Sequence, residues 1–262
     1  MNAQVLLGAA AKWLFPPCCA VCGEILPPDS RGMFCEGCSG LLVPISGPAC
    51  PKCGRPIESE PEAEPKTEPE TEELCGDCIG TDFAFERSAA IYPYDGAARS
   101  LIHRFKYMGH QEYARFLGGA MARRLEQDGA RPDAVIPVPM FWHKQLVRGF
   151  NQSELLAREI AARLGLRLVT GALLRVRNTT PQSRLSAAER RQNVLGAFKM
   201  DKKADLSQIK SALLIDDIFT TGSTLNACAG LLREHGVKSV CCCTACVQQA
   251  DKKPAHDIKS HN

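Results

Sequence analysis

Thirteen consecutive residues, Leu213-Leu214-Ile215-Asp216-Asp217-Ile218-Phe219-Thr220-Thr221-Gly222-Ser223-Thr224-Leu225, prescribe in order a buried strand, two carboxylates, an anion cradle and a helix start. The apolar run over 212–215 suits a strand covered on both faces. Thr220, Thr221, Ser223 and Thr224 then supply hydroxyls where the next helix begins, and a helix N-terminus with free N–H groups binds phosphate. Gly222 lets the backbone approach an anion closely. Asp216 and Asp217 stand just before the cradle, placed to accept hydrogen bonds from a neighbouring diol, so the ligand implied is a ribose 5-phosphate. The plain alternative is a strand-to-helix turn whose acids suit the helix dipole. Such a turn needs neither the second acid nor three threonines. No Gly-Lys-Ser/Thr follows a glycine-rich turn, which excludes a Walker loop.

Nine of the fourteen cysteines fall before residue 80 and form four Cys-x-x-Cys knuckles: Cys19/Cys22, Cys35/Cys38, Cys50/Cys53 and Cys75/Cys78, with Cys18 left over. Each knuckle sets two thiolates on one tight turn, and two knuckles complete a tetrahedral zinc shell. Eight ligands make two structural zinc sites. The knuckles pair sequentially in this reading, although a crossed pairing would use the same residues. A disulfide framework is the competing reading, opposed by the paired knuckles and the lack of a secretory leader.

The interval between Cys53 and Cys75 holds an acidic tract, 58–73, with eight glutamates, three prolines and no large apolar side chain. It cannot bury enough surface to fold and reads as a disordered loop hung between ligands. Eight Glu against one Lys contribute −7, so the formal +3 of the chain becomes +10 once the tract is set aside. That balance suits a polyanionic partner such as pyrophosphate or nucleic acid. A solvated basic surface fits it equally well.

Val5, Leu6, Ala9, Trp13 and Leu14 follow helical spacing, which predicts a short N-terminal helix rather than a signal peptide, since Lys12 interrupts the apolar run and no basic region precedes it. No segment reaches the length of a membrane span. Zinc-binding thiolates need a reducing compartment, so the expected location is cytoplasmic.

From residue 85 onward strands and amphipathic helices alternate. The pattern predicts strands over 87–92, 134–138, 166–174, 211–215 and 237–247. Helices are predicted over 97–107, 112–126, 154–164 (capped by Asn151 or Ser153) and 222–235. This order argues for an α/β fold, a mostly parallel sheet flanked by helices. Ligands in such sheets bind at the carboxyl ends of strands. The expected organisation is an N-terminal helix and double-knuckle module over 1–84, an α/β domain over 85–250 and a polar tail over 251–262.

A second strand end carries Pro137-Val138-Pro139, then His143, Lys144 and Arg148-Gly149-Phe150-Asn151-Gln152. Two prolines remove backbone donors and stiffen the strand exit, and the basic residues could meet a pyrophosphate. An ordinary turn before a capped helix reads the same residues more simply. The segment 175–193 has five arginines among polar residues, Arg175, Arg177, Arg184, Arg190 and Arg191, and fits either a mobile anion-closing loop or a solvated one.

The strand, acid pair and Thr-Thr-Gly-x-Thr together resemble the phosphoribosyl pyrophosphate (PRPP) signature of type I phosphoribosyltransferases. With four Cys knuckles ahead of it, and Pro-Val-Pro, Arg-Gly-Phe-Asn-Gln, Thr179-x-x-Gln182 and Arg190-Arg191-x-Asn193 in order between, the chain from Cys19 to about Val247 looks like the ComF/ComFC family. That resemblance implies a phosphoribosyltransferase-like fold with Asp216 and Asp217 on the ribose hydroxyls. Thr220, Thr221, Gly222, Ser223 and Thr224 would hold the 5-phosphate, and Pro137, Val138 and Pro139 would shape a pyrophosphate loop. Arg148 and Arg184 would lie beside the same ligand, and Mg²⁺ would bridge pyrophosphate and ribose oxygens. It further implies a role in natural transformation, with single-stranded DNA and a DNA-uptake helicase or other competence proteins as partners. Phosphoribosyl transfer to a nitrogen nucleophile is the alternative activity. Enzymes of this fold use a hood over the sugar to choose the acceptor, and here only 248–262 follow the final strand, so the knuckle module is expected in the hood's place. Exposed Phe141, Trp142 or Phe150 could stack bases, although core packing is the simpler fate of each.

Five cysteines remain, Cys228, Cys241, Cys242, Cys243 and Cys246, which read as small buried apolar residues of a helix and the last strand. The histidines are scattered, with no metal spacing to another ligand.

Overall fold

The computed structural model describes residues 16–30, 32–57, 73–108, 111–178, 194 and 196–249. The helix expected near the N-terminus, nearly all of the acidic tract, Arg184 with the Thr179-x-x-Gln182 and Arg190-Arg191-x-Asn193 motifs, and the polar tail lie outside the described residues. After a single 3-10 turn, Glu36–Cys38, the elements are β1 (Ser88–Pro93), α1 (Gly96–Met108), α2 (Gln111–Gln127), β2 (Ala134–Pro137), α3 (Trp142–Arg148), α4 (Gln152–Leu164), β3 (Arg167–Leu168), β4 (Leu173–Arg175), β5 (Phe198–Met200), β6 (Ser211–Phe219), α5 (Ser223–Glu234) and β7 (Ser239–Val247).

Five strands form one sheet in the order β1-β7-β6-β2-β3, and every neighbouring pair is parallel. A strand alternates its side chains between faces, and β6 does so with apolar residues on both. Leu213 and Ile215 enter the layer formed by α1, α2 and α4, where Leu101, Phe105, Met121, Leu156 and Ile160 are buried. Ala212 and Leu214 enter the opposite layer, built on Leu225, Cys228 and Leu232 of α5 and on Phe85. The parallel sheet flanked by helices is the expected fold class.

Three elements depart from the expectation. The strand predicted over 166–174 is two strands in different sheets, β3 in the main one and β4 paired antiparallel with β5. Gly171, at φ 75, turns the chain between them. β5 itself carries no alternation long enough to read. α3 occupies a stretch read as a loop, and it buries none of its residues.

The second pair of knuckles covers the sheet's β1 edge. Ile45 N–H donates to the Ile91 carbonyl at 2.7 Å and Ser88 N–H to the Pro51 carbonyl at 2.8 Å. Lys52 Nζ donates to the carbonyls of Phe85 and Glu86 at 3.2 and 2.7 Å. Backbone groups that would otherwise offer a pairing edge are thereby satisfied from within the chain.

Candidate functional site

All fourteen cysteines are free thiols, which removes the disulfide reading. The knuckles assemble sequentially: Cys19, Cys22, Cys35 and Cys38 form one group and Cys50, Cys53, Cys75 and Cys78 another, with the four sulfurs of each within 4.8 Å of one another. A tetrahedral shell with Zn–S near 2.3 Å has edges of about 3.8 Å. The Cys22–Cys35 sulfurs lie 3.7 Å apart and the Cys53–Cys75 sulfurs 3.5 Å apart, so both groups fit that shell. Their surroundings differ. Among the described residues, Cys19 and Cys38 pack in a small cluster with Leu26 and the half-buried Val21, Phe34 and Cys35. Cys50, Cys53 and Cys78 belong to the main core beneath α5.

β6 does not stop at Ile215 but carries the acid pair within the strand and ends at Phe219. Asp216 aligns with Thr244 of β7 and Ile215 with Cys243. Ser153 Oγ donates to Asp216 Oδ1 at 2.9 Å, and the Asp217 N–H donates to the same oxygen at 2.9 Å. Lys106 Nζ lies 2.9 Å from Asp217 Oδ2. Burial, then the neighbouring Asp217 charge, push the Asp216 carboxyl up to about 7, against the opposing pull of its hydrogen bonds and Lys106. A carboxylate so desolvated suits a ligand that brings hydroxyl donors or a divalent cation.

Gly222 is the N-cap of α5, at φ 73, and makes no side-chain cap bond. The first-turn N–H groups of a helix have no intrahelical backbone partner, so a helix start of this kind suits an anion. A Cβ at Gly222 would fall 2.6 Å from the Phe219 ring and 2.9 Å from that of Phe83, so only glycine allows this turn. Thr221 and Ser223 hydroxyls lie 2.7 Å apart across it. Asp216, Thr220, Gly222 and Thr224 line one shallow depression with Ile218, Phe219 and Leu225.

The Pro-Val-Pro turn lies at the adjacent strand end. Pro137 closes β2, Val138 N–H donates to the Ile215 carbonyl at 2.9 Å, and Pro139 follows half-buried. Asn151 ties this turn to α4: its Nδ2 donates to the Val138 carbonyl at 3.0 Å, and its Oδ1 caps the helix by accepting from the Ser153 N–H at 3.2 Å. Gln152 Nε2 donates to the Lys106 carbonyl at 3.4 Å. Arg148 stacks over Tyr107 at 5.3 Å and donates to Gln152 Oε1 at 3.3 Å. Arg148, Asn151 and Gln152 of the Arg-Gly-Phe-Asn-Gln run thus brace the groups around the acids. Lys144, depressed by burial and by the charges of Arg175 and Arg148, completes a cationic cluster beside them.

Sequence reasoning missed Lys106 altogether, read Ser153 only as a candidate helix cap and Gln152 only as part of the Arg-Gly-Phe-Asn-Gln run, because each acts on a residue remote in the chain. Phe150 is half-buried against Phe105, at 6.2 Å between ring centres, so of the three aromatics offered for stacking only Trp142, at 65% exposure, is open to solvent. Cys228, Cys242, Cys243 and Cys246 are buried as small apolar residues and Cys241 is half-buried. Among the described residues no histidine joins a metal-ligating group, and no helix is long and apolar enough to cross a membrane.

These features define a phosphoribosyltransferase-like domain carrying an N-terminal double zinc ribbon. Two family profiles match accordingly, the double zinc ribbon domain over residues 10–79 and the phosphoribosyl transferase domain over residues 109–261. The chain is 32% identical to competence protein F of Haemophilus influenzae over 217 residues, covering 80% of this chain and 89% of that one. DNA utilization protein YhgH of Salmonella typhimurium is 32% identical over 200 residues, with 73% and 80% covered. Competence protein ComFC of Bacillus subtilis is 28% identical over 221 residues, with 81% and 82% covered. The chain belongs to the ComF/ComFC family.

Proposed function

We propose that this protein binds PRPP or a related phosphoribosyl ligand at the β6–α5 junction, binds single-stranded DNA on its basic face, and acts in DNA uptake. The observation that carries the reading is that Asp216, inside β6, lines one depression with Thr220, Gly222 and Thr224 where α5 begins. Asp216 and Asp217 would accept from the ribose hydroxyls, the loop and first-turn N–H groups would hold the 5-phosphate, and the Pro137-Val138-Pro139 turn would sit against the pyrophosphate. Mg²⁺, when bound, would neutralise pyrophosphate oxygens beside the acids. Lys144, Arg148 and Arg175 support an anionic ligand there, as converging cations with the Lys144 ammonium weakened by burial and then by their charge. The eight knuckle cysteines would hold two zinc ions.

The names of the relatives, competence and DNA utilization, support the DNA role. The exposed Trp142 on a helix that also carries His143, Lys144 and Arg148 supports a stacking and phosphate-binding surface. Phosphoribosyl transfer is the second reading, favoured by the intact acid pair with its Ser153 and Lys106 partners. Titration with PRPP and Mg²⁺ tests the pocket, and pyrophosphate release in the presence of nucleobases or amines separates transfer from binding.

A further inference from the structure

We propose that Arg55 is a positioning residue through which the second zinc ribbon fixes the shape of the phosphate loop, an inference that rests on the phosphoribosyl reading only for what the loop binds. Arg55 belongs to the turn of the Cys50/Cys53 knuckle, where its carbonyl accepts from the Cys50 N–H at 2.8 Å. Its guanidinium pairs with Asp77, one of the two residues between Cys75 and Cys78 in the partner knuckle. The remaining prongs leave the ribbon. Nε donates to the Gln248 carbonyl at 2.6 Å, and a terminal nitrogen donates to the Thr220 carbonyl at 3.3 Å. Gln248 N–H in turn donates to the Phe219 carbonyl at 2.8 Å.

One planar fork therefore joins both knuckles of a metal group to Thr220 directly, and to Phe219 through Gln248, at the entry of the cradle. The geometry leaves little play. Arg55 is 7% exposed, and Gly54 beside it packs so closely on β1 that a Cβ would fall 2.6 Å from the Ala90 nitrogen. Downstream of the same ribbon, the Phe83 ring closes on Gly222 and the Ala84 N–H donates to Asn226 Oδ1 at 2.6 Å. A guanidinium suits this task because its donors are fixed in one plane, whereas an ammonium offers a single point. The ribbon is thus a part of the site's scaffold, and its metal group and the loop are mechanically continuous.

The test compares wild type with Arg55→Met by zinc analysis, amide hydrogen exchange and titration with ribose 5-phosphate. Zinc content is expected to stay at the wild-type value while amides over 219–223 exchange roughly tenfold faster or more, with the central amides of β7 unchanged. Wild-type exchange in the loop, or acceleration spread evenly over the domain, overturns the proposal. If Arg55→Met does not fold, Arg55→Lys is judged by the same criteria, since it keeps a charge for Asp77 and loses the fork. Ribose 5-phosphate should bind the variant at least about fivefold more weakly, through the loosened loop, and equal affinity contradicts the inference. If wild type itself does not bind ribose 5-phosphate, the pocket reading fails, and the exchange result still decides the role of Arg55.

Discussion

Lys106 Nζ sits 2.9 Å from Asp217 Oδ2, with side chains 23% and 14% exposed, so α1 delivers a counter-charge to the second acid of the pair. Burial pulls that ammonium's pKa down, and Asp217 more than offsets it, so the lysine is held above its ordinary value. The same charge draws the Asp216 carboxyl down. Lys106→Met should therefore raise the pH at which Asp216 ionises. Affinity for Mg²⁺ and PRPP at pH 7 should drop roughly tenfold and recover by pH 9. A loss that persists undiminished at pH 9 would show that Lys106 contacts the ligand rather than tuning the acids.

The Asp216 carboxyl itself has a pH signature. Its folded value is about 7 against an ordinary 3.8, so the native state holds a proton that the unfolded chain releases. Stability from this group is full below the unfolded value and is lost as pH rises through the folded one. Asp216→Asn should gain stability over wild type between pH 5 and 8, by at most about 3 kcal/mol and by less as water reaches the site. Denaturant unfolding at both pH values checks it. A constant difference would mean that Asp216 is ionised throughout.

The two zinc ribbons should respond unequally to ligand loss. Cys22→Ser is expected to release one zinc and leave the main unfolding transition within a few degrees, because the first group packs in its own small cluster. Cys53→Ser strikes the core shared with Phe219 and Leu225. It should lower the main transition strongly, since structural zinc contributes on the order of 10 kcal/mol in isolated fingers. Equal shifts in calorimetric scans would contradict this division.

What the chain announces locally is what could be read from it. The β6–α5 motif and the Cys knuckles depend on neighbours a few residues apart, and the alternation of strands and helices follows from periodicity. α3 escaped because Trp142, Leu146 and Val147 are 65, 75 and 74% exposed, leaving no buried stripe to mark it as a helix. The end of β6 was set too early because two aspartates look like a strand terminus, whereas here Ser153 and Lys106 accommodate them inside the sheet. Ser153 meets Asp216 across 63 residues, and Arg55 meets Thr220 across 165. No local pattern encodes such contacts.

Those exposed apolar residues of α3 give the DNA reading a specific test. Trp142→Ala should weaken single-stranded DNA binding by ~1–3 kcal/mol, the range for one stacked base. Binding should also fall steeply with salt as phosphate contacts release counterions. Deleting 58–73 should raise affinity at low salt, because eight glutamates compete for the basic surface, and the gain should fade as salt screens it. Anisotropy with a labelled oligonucleotide reads all three effects. No binding at low ionic strength, even after the deletion, would leave the transferase reading as the better account.

Isothermal titration of the zinc-loaded protein with PRPP in Mg²⁺, set beside the Asp216→Asn, Asp217→Asn double variant, addresses the central claim most directly. Both substitutions keep side-chain size and remove the charged acceptors for the ribose diol. Saturable one-to-one binding to wild type, lost in a double variant that retains its zinc and its fold, is the predicted result. Equal affinity in the two proteins, or no heat of binding to wild type, would contradict a phosphoribosyl site at the end of β6.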